Sequence, residues 1–94
     1  MRTLALMQSV VLYGKKDCEY SVAAKELLRA HGVAFKEIEV DDDSTQREEM
    51  IRRAGGRHTT PQIFIEGRHV GGYEDLRRLA DQGGLDAAAG APTP

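Results

Sequence analysis

The stretch SVVLYGKKDCEYSVAAKELLRAHGVAFKEIEV, residues 9–40, carries the clearest indication of how this chain folds. It opens with a short β-branched run, residues 9–13, which is typical of a buried strand. Apolar residues at helical spacing follow between Cys18 and His31, and Gly32 supplies a helix stop. Residues 34–40 are a second predicted strand. This order predicts a βαβ unit with parallel strands and a right-handed crossover.

The rest of the chain adds two predicted helices and a β-hairpin. Thr45 followed by Glu48 matches a capping box and predicts a helix that ends near Ala54. The segments 61–65 and 68–70 flank a Glu-Gly turn and predict the hairpin.

A last helix is predicted to open at the motif GGYEDL, residues 71–76. The order of elements is then β-α-β-α-β-β-α, an α/β fold class with a four-stranded mixed sheet and helices on both faces. Residues 87–94, AAAGAPTP, predict a flexible C-terminal tail beyond one domain of residues 1–86. A chain of 94 residues suffices for one layered core and is too short for two domains.

Composition excludes several classes of function. The formal net charge of -2 gives no electrostatic reason to expect a nucleic acid or an anionic membrane as partner. No apolar run approaches the roughly 18 residues that a membrane span needs. A single cysteine excludes an internal disulfide framework and a multi-cysteine metal site, which fits a cytoplasmic protein. The three histidines are scattered, and we expect none of them to be a ligand or a base.

The lone cysteine lies at a chemically favourable position. Cys18 follows a predicted strand and loop and opens a predicted helix, where free N–H groups and the helix dipole favour an anion. Lys15 and Lys16 precede it, and nearby cations lower a thiol pKa. A lone cysteine is most often a small buried hydrophobe, but this position favours a reactive thiol. Ser21 stands where a second cysteine would complete a Cys-x-x-Cys pair.

Three segments together resemble the glutaredoxins, which are small thioredoxin-fold oxidoreductases that work with glutathione. They are VVLYGKKDCEYS at 10–21, REEMIRRAGGRHTTPQIFIEGRHVGGYEDL at 47–76 and GGLD at 83–86. The resemblance covers residues 9–86, nearly the whole predicted domain. It implies a thioredoxin-like fold and identifies residues 1–86 as a glutaredoxin domain.

The resemblance also implies a set of site residues. Cys18 would be the catalytic nucleophile that forms a mixed disulfide with glutathione. Lys15 would favour the thiolate and the glycine carboxylate of glutathione, and Arg47 falls where the family often has a residue for that carboxylate. The other implied glutathione-binding residues are Tyr20, then Thr59, Thr60 and Pro61 for the middle of the tripeptide, and Gly72, Tyr73, Glu74 and Asp75 for its γ-glutamyl end.

Some of these residues also have plainer structural interpretations. Arg47 could be a solvated helix residue, Gly71 and Gly72 could form only a turn, and Tyr20 could simply cover the helix end. Thr60 replaces a usual valine, which we expect to be a mild change because the backbone makes the contact.

The chain departs from the usual Cys-Pro-Tyr-Cys site of the family, because it reads Cys-Glu-Tyr-Ser at 18–21. Ser21 removes the resolving thiol and closes the dithiol route within the chain. The monothiol route needs only Cys18, whose thiolate attacks a protein–glutathione mixed disulfide before a second glutathione regenerates it. Glu19 replaces the proline, and its charge is predicted to raise the thiol pKa relative to proline and to slow the enzyme.

Three functions compete at this point. The first is a glutathione-dependent oxidoreductase acting on glutathionylated proteins as a monomer. The second is a dimer that binds a [2Fe–2S] cluster through Cys18 and glutathione, with no other metal site. The third is a redox-silent interaction domain. The short spacing between Lys15 and Cys18 resembles the enzymatic branch of the family and favours the first function.

Overall fold

A four-stranded mixed sheet forms the centre of the computed structural model, which describes residues 9–88. Strand β1 (Val10–Gly14) pairs in parallel with β2 (Lys36–Glu39) on one side. On its other side β1 pairs in antiparallel register with β3 (Gln62–Ile65), which pairs in turn with β4 (Arg68–Gly71). The order β2-β1-β3-β4 confirms the predicted sheet and its parallel βαβ unit.

The helices cover both faces of this sheet, as predicted. They are α1 (Glu19–Ala30), α2 (Ser44–Arg53), α3 (Tyr73–Asp81) and the short α4 (Leu85–Ala88). None of the helices within residues 9–88 combines the length and the apolar character that crossing a membrane requires.

Alternation along the strands divides the apolar side chains into two cores. Leu12 and Ile63 point to one face, where they pack with Leu28 of α1 and Leu76 of α3. Tyr13 and Phe64 point to the other face, where they pack with Met50 of α2 and with Ala54, the C-cap residue of that helix. Residues that neighbour each other along a strand therefore support different helices, which holds the three layers together.

The helix α4 was not expected from the sequence. Leu85 is fully buried in the core under α1 and α3, which explains why the chain stays ordered after the Gly83-Gly84 pair. The predicted domain boundary at residue 86 falls inside this helix, and residues 89–94 of the predicted tail lie outside the described part of the chain.

The capping box predicted for α2 is wrong. Asp43 is the N-cap, and its Oδ1 accepts a hydrogen bond from the backbone N–H of Gln46 at 3.1 Å. Thr45 and Glu48 lie inside the helix with exposed side chains. Aspartate is among the strongest N-cap residues, and the acidic loop supplies the cap two residues before the one that the sequence pattern suggested.

Replacement of the cap tests this assignment. We expect Asp43→Ala to lower the free energy of unfolding by about 1 kcal/mol, because one N–H of the first turn loses its acceptor. Thr45→Ala is the matched control and should change it by no more than about 0.5 kcal/mol. Urea unfolding followed by circular dichroism measures both, and a larger loss from Thr45→Ala would restore the capping box.

Candidate functional site

Cys18 lies at the junction of the loop after β1 and the start of α1. It is the N-cap residue, and its carbonyl accepts the backbone N–H of Val22 at 3.0 Å. Its side chain is partly exposed and forms no disulfide. The first turn of α1 therefore presents its free N–H groups toward the sulfur, as the sequence predicted.

Thr60 forms a cis peptide bond with Pro61 at the entry to β3, and it approaches the sulfur from this neighbouring strand. Its Oγ1 donates to the Cys18 Sγ at 3.5 Å, and its carbonyl lies 3.6 Å from the same sulfur, where it accepts the thiol proton. The hydroxyl that distinguishes threonine from the usual valine thus takes part in the site. The expectation of a mild change from valine stays a prediction, and the contact between Oγ1 and the sulfur adds to it.

Ser21 occupies the position of the absent second cysteine. Its side chain is fully buried, and its Oγ accepts the backbone N–H of Lys15 at 3.2 Å. A hydroxyl that accepts from this N–H keeps its own proton for another acceptor. The Ser21 side chain therefore braces the loop between β1 and α1 and presents a donor toward Cys18.

The pKa of the Cys18 thiol lies below its usual value. Burial is the largest single effect and raises the pKa, but hydrogen bonds outweigh it. The hydroxyls of Ser21 and Thr60 and the backbone N–H groups of Ser21 and Tyr20 stabilise the thiolate. The contributors are these donors rather than the charges of Lys15, Lys16 or Glu19. The effect of Glu19 relative to proline stays a prediction.

An open cavity of about 480 Å³ lies next to Thr60, between the entry to β3 and the N-terminus of α3. The rings of Tyr20 and Tyr73, 6.0 Å apart, form one wall, and the Tyr20 side chain is 57% exposed. The structure brings to this cavity eight of the residues implied by the resemblance, namely Tyr20, Thr59, Thr60, Pro61, Gly72, Tyr73, Glu74 and Asp75.

Asp75 is the charged centre of the α3 end of the cavity. Its Oδ2 accepts the backbone N–H of Gly72 at 3.0 Å and lies 3.6 Å from the Arg57 guanidinium. The hydrogen bond from Gly72, aided by the charges of Arg57 and Arg78, holds the pKa of this carboxyl below its usual value despite partial burial. Asp75 therefore stays ionised at neutral pH and caps its own helix.

Gly71 and Gly72 do more than form a turn. Gly71 adopts a φ of 126°, and a Cβ at this position would collide with the Asp75 carboxylate. Gly72 is the N-cap of α3 and lines the cavity. The missing side chain of Gly71 is therefore what lets the Asp75 carboxylate approach the backbone closely.

Besides Cys18, two residues implied by the resemblance lie outside the lining of the cavity. Arg47 is half-buried in the first turn of α2, and Lys15 contributes its backbone N–H to Ser21. Arg57, which sequence reasoning missed, supplies a cation to the cavity together with Arg78. No local pattern around residue 57 indicates this role, because Asp75 lies far along the chain and meets Arg57 only in the folded structure.

The comparisons with known proteins agree with this geometry. The glutaredoxin family model matches residues 10–70. The chain is 49% identical over 80 residues to glutaredoxin 3 of Escherichia coli (strain K12), covering 85% of this chain and 95% of that protein. It is 39% identical over 83 residues to glutaredoxin 1 of Rickettsia prowazekii (strain Madrid E), covering 87% of each.

Solved structures give the same result. The solution structure of glutaredoxin from Brucella melitensis superimposes with a TM-score of 0.76 at 41% identity, covering 94% of this chain and 97% of that one. A buckwheat glutaredoxin–glutathione complex has a TM-score of 0.74 at 26% identity, covering 83% of this chain and 73% of that one.

A reactive cysteine at a helix N-terminus, next to a strand that begins after a proline, defines a thiol oxidoreductase of the thioredoxin-like class. Within that class the chain belongs to the glutaredoxin family. It is therefore a glutathione-dependent thiol oxidoreductase, and the predicted fold and enzyme class are confirmed.

Replacing Thr60 by valine tests the role of its hydroxyl. Thr60→Val keeps the side-chain shape and removes the donor, so the thiolate loses stabilisation and the pKa of Cys18 rises. The rate of alkylation by iodoacetamide at neutral pH should fall about two- to fivefold, as expected for a weak hydrogen bond to a charged sulfur, and the pH–rate curve should move to higher pH. Thr45→Val on α2 is the matched control. An unchanged curve for Thr60→Val would show that the hydroxyl is irrelevant to the thiolate.

Proposed function

We propose that this chain reduces protein–glutathione mixed disulfides by a monothiol mechanism in which Cys18 is the nucleophile. The observation that carries the proposal is the environment of its sulfur, where Thr60 Oγ1 donates at 3.5 Å and the same residue lines a charged cavity. Ser21 cannot form a disulfide, so a second glutathione must resolve the mixed disulfide on Cys18.

The reaction proceeds in two exchanges. The Cys18 thiolate attacks the glutathione sulfur of the mixed disulfide, and the protein substrate leaves as a thiolate that takes a proton from water. The thiolate of a second glutathione then attacks the glutathione sulfur held on Cys18. Glutathione disulfide leaves and the Cys18 thiolate is restored. In sum, one protein–glutathione mixed disulfide and one free glutathione thiol become a protein thiol and glutathione disulfide.

The charges of the cavity suit the γ-glutamyl end of glutathione, which carries an ammonium and a carboxylate. Asp75 and Glu74 offer carboxylates to the ammonium group, and the N-terminus of α3 with Arg57 offers donors to the carboxylate. The backbone of Thr60 would pair with the cysteine of glutathione. Lys15 and Arg47 remain the proposed partners of the glycine carboxylate.

A second candidate function is a [2Fe–2S] cluster shared by two copies of the chain. Such a cluster takes four ligands, usually thiolates, and each copy would give Cys18 while glutathione gives the rest. Within residues 9–88 no three His, Cys, Asp or Glu side chains gather into a metal site, so Cys18 would be the protein ligand. The partial exposure of Cys18 favours this candidate. The hydrogen bonds to its sulfur also suit the thiol–disulfide exchange, and we rank reduction first.

The proposed partners are glutathione and glutathionylated proteins, and the proposed state is a monomer in the cytoplasm, or a dimer if a cluster binds. The lack of a second cysteine supports a reducing compartment. The net charge of -2 supports neither a nucleic acid nor a membrane as partner.

Turnover separates the candidate functions. In a glutathione-coupled assay with a glutathionylated peptide, the wild-type chain should turn over and Cys18→Ser should fall to background, because no other thiol is available. An intramolecular protein disulfide should be a poor substrate, and Ser21→Cys should improve its reduction. If the wild-type chain showed no turnover and was a brown dimer after anaerobic purification with glutathione, the cluster-binding function would be favoured over the reductase function.

Paired arginine variants test the binding site. Arg57→Gln should raise the KM for the glutathionylated peptide about fivefold, the size expected for losing one charge-assisted hydrogen bond near the surface. Arg47→Gln, which alters an arginine outside the cavity lining, should have a smaller effect. A larger rise in KM for Arg47→Gln would assign the main binding cation to α2.

A further inference from the structure

The entry to β3 contains a buried amide whose hydrogen bonds point away from the sulfur. Gln62 is fully buried, and its Nε2 donates to the carbonyl of Thr59 at 3.0 Å and to Thr59 Oγ1 at 3.2 Å. Its Oε1 accepts from His69 Nε2 at 2.6 Å. An amide oxygen cannot donate, so His69 carries its proton on Nε2. Every donor and acceptor of this buried side chain is thereby used.

His69 is itself held in place on the edge strand β4. It pairs with Phe64 across the β3–β4 ladder, and the two rings lie 5.0 Å apart at an angle of 31°. Phe64 is buried in the core under α2. The imidazole is therefore fixed by ring packing on one side and by the Gln62 amide on the other.

The segment before Thr59 is bonded to the end of α2, where the N–H of Gly56 donates to the Ile51 carbonyl at 2.9 Å. Gly55 and Gly56 both have positive φ, and no regular element joins α2 to β3. Within residues 9–88, the hydrogen bonds that join Thr59 to the sheet are those from the Gln62 side chain.

We propose that Gln62 and His69 form a positioning pair that holds the Thr59–Pro61 segment in the conformation that receives glutathione. Gln62 acts through Thr59, which lines the cavity, and His69 acts through Gln62. Neither side chain touches the reacting sulfur, so both are positioning residues. The inference rests on the proposed use of this cavity for glutathione.

The pair should affect binding more than the intrinsic reactivity of Cys18. Thr60 is held by the buried Pro61 and by its own contacts with the sulfur, whereas Thr59 is exposed and depends on Gln62. Loss of the His69 donor leaves the buried Gln62 oxygen without its partner, which favours a rotated amide and frees Thr59.

His69→Phe is the main variant, because it keeps a ring on Phe64 and removes the donor. We expect the KM for the glutathionylated peptide to rise about fivefold or more, in line with an unpaired buried acceptor, with kcat and the rate of Cys18 alkylation by iodoacetamide within about twofold. His69→Gln restores an amide donor and should return KM toward the wild-type value. His31→Phe, the same change at an exposed histidine at the end of α1, should leave all three values unchanged.

The positioning role would be overturned if His69→Phe raised KM and slowed the alkylation of Cys18 by the same factor. It would also be overturned if His69→Gln did not bring KM back toward the wild-type value. His69 is exposed on an edge strand, so His69→Ala serves as a second variant with the same expected rise in KM if the phenylalanine variant does not fold. Backbone amide NMR signals of Thr59 and Thr60 give a readout without glutathione. They should shift in His69→Phe and not in His31→Phe even if the wild type shows no turnover, and unchanged signals would overturn the inference.

Discussion

The antiparallel pairing of β1 with β3 is the constraint on which the site depends. It brings the entry of β3 beside the end of β1, so that Thr60 meets Cys18 although 42 residues separate them in the chain. The alternation of side chains along β1 sends Leu12 and Tyr13 into two different cores, with α1 on one face of the sheet and α2 on the other. The sulfur therefore lies where a helix start and a strand entry are both held by buried packing, and its donors need little reorganisation to stabilise a thiolate.

The absence of a second thiol has a structural counterpart. Ser21 is buried, accepts a hydrogen bond from the N–H of Lys15 and donates its own proton toward Cys18. The serine therefore stabilises the loop between β1 and α1, and it also closes the dithiol route because it has no thiol. Thr60 adds a second hydroxyl. Two hydroxyl donors thus lower the pKa of the thiol against the opposing effect of burial. This arrangement suits a cycle in which the same thiolate must attack in one exchange and leave in the next.

Several features of the site depended on information that local patterns do not contain. The cap of α2 was misassigned because Asp43 and Thr45 are both acceptable N-cap types, and only the backbone geometry distinguishes them. Arg57 was missed because its relevance depends on Asp75, which joins it only after α3 packs against the sheet. The bonds of Gln62 were invisible for the same reason, since a glutamine in an apolar strand gives no indication of its partners.

The sequence by itself determined the βαβ unit, the hairpin and the position of Cys18 at a helix start, because hydrophobic period and turn residues encode these features over short distances. The resemblance to the glutaredoxins, and not these local patterns, indicated most of the residues that line the cavity. The tertiary structure alone decided which donors reach the sulfur, that Arg57 rather than Arg47 lines the cavity, and that a buried amide ties Thr59 to β4. These are contacts between distant segments, and their geometry exists only after the sheet has assembled and both cores have closed around it.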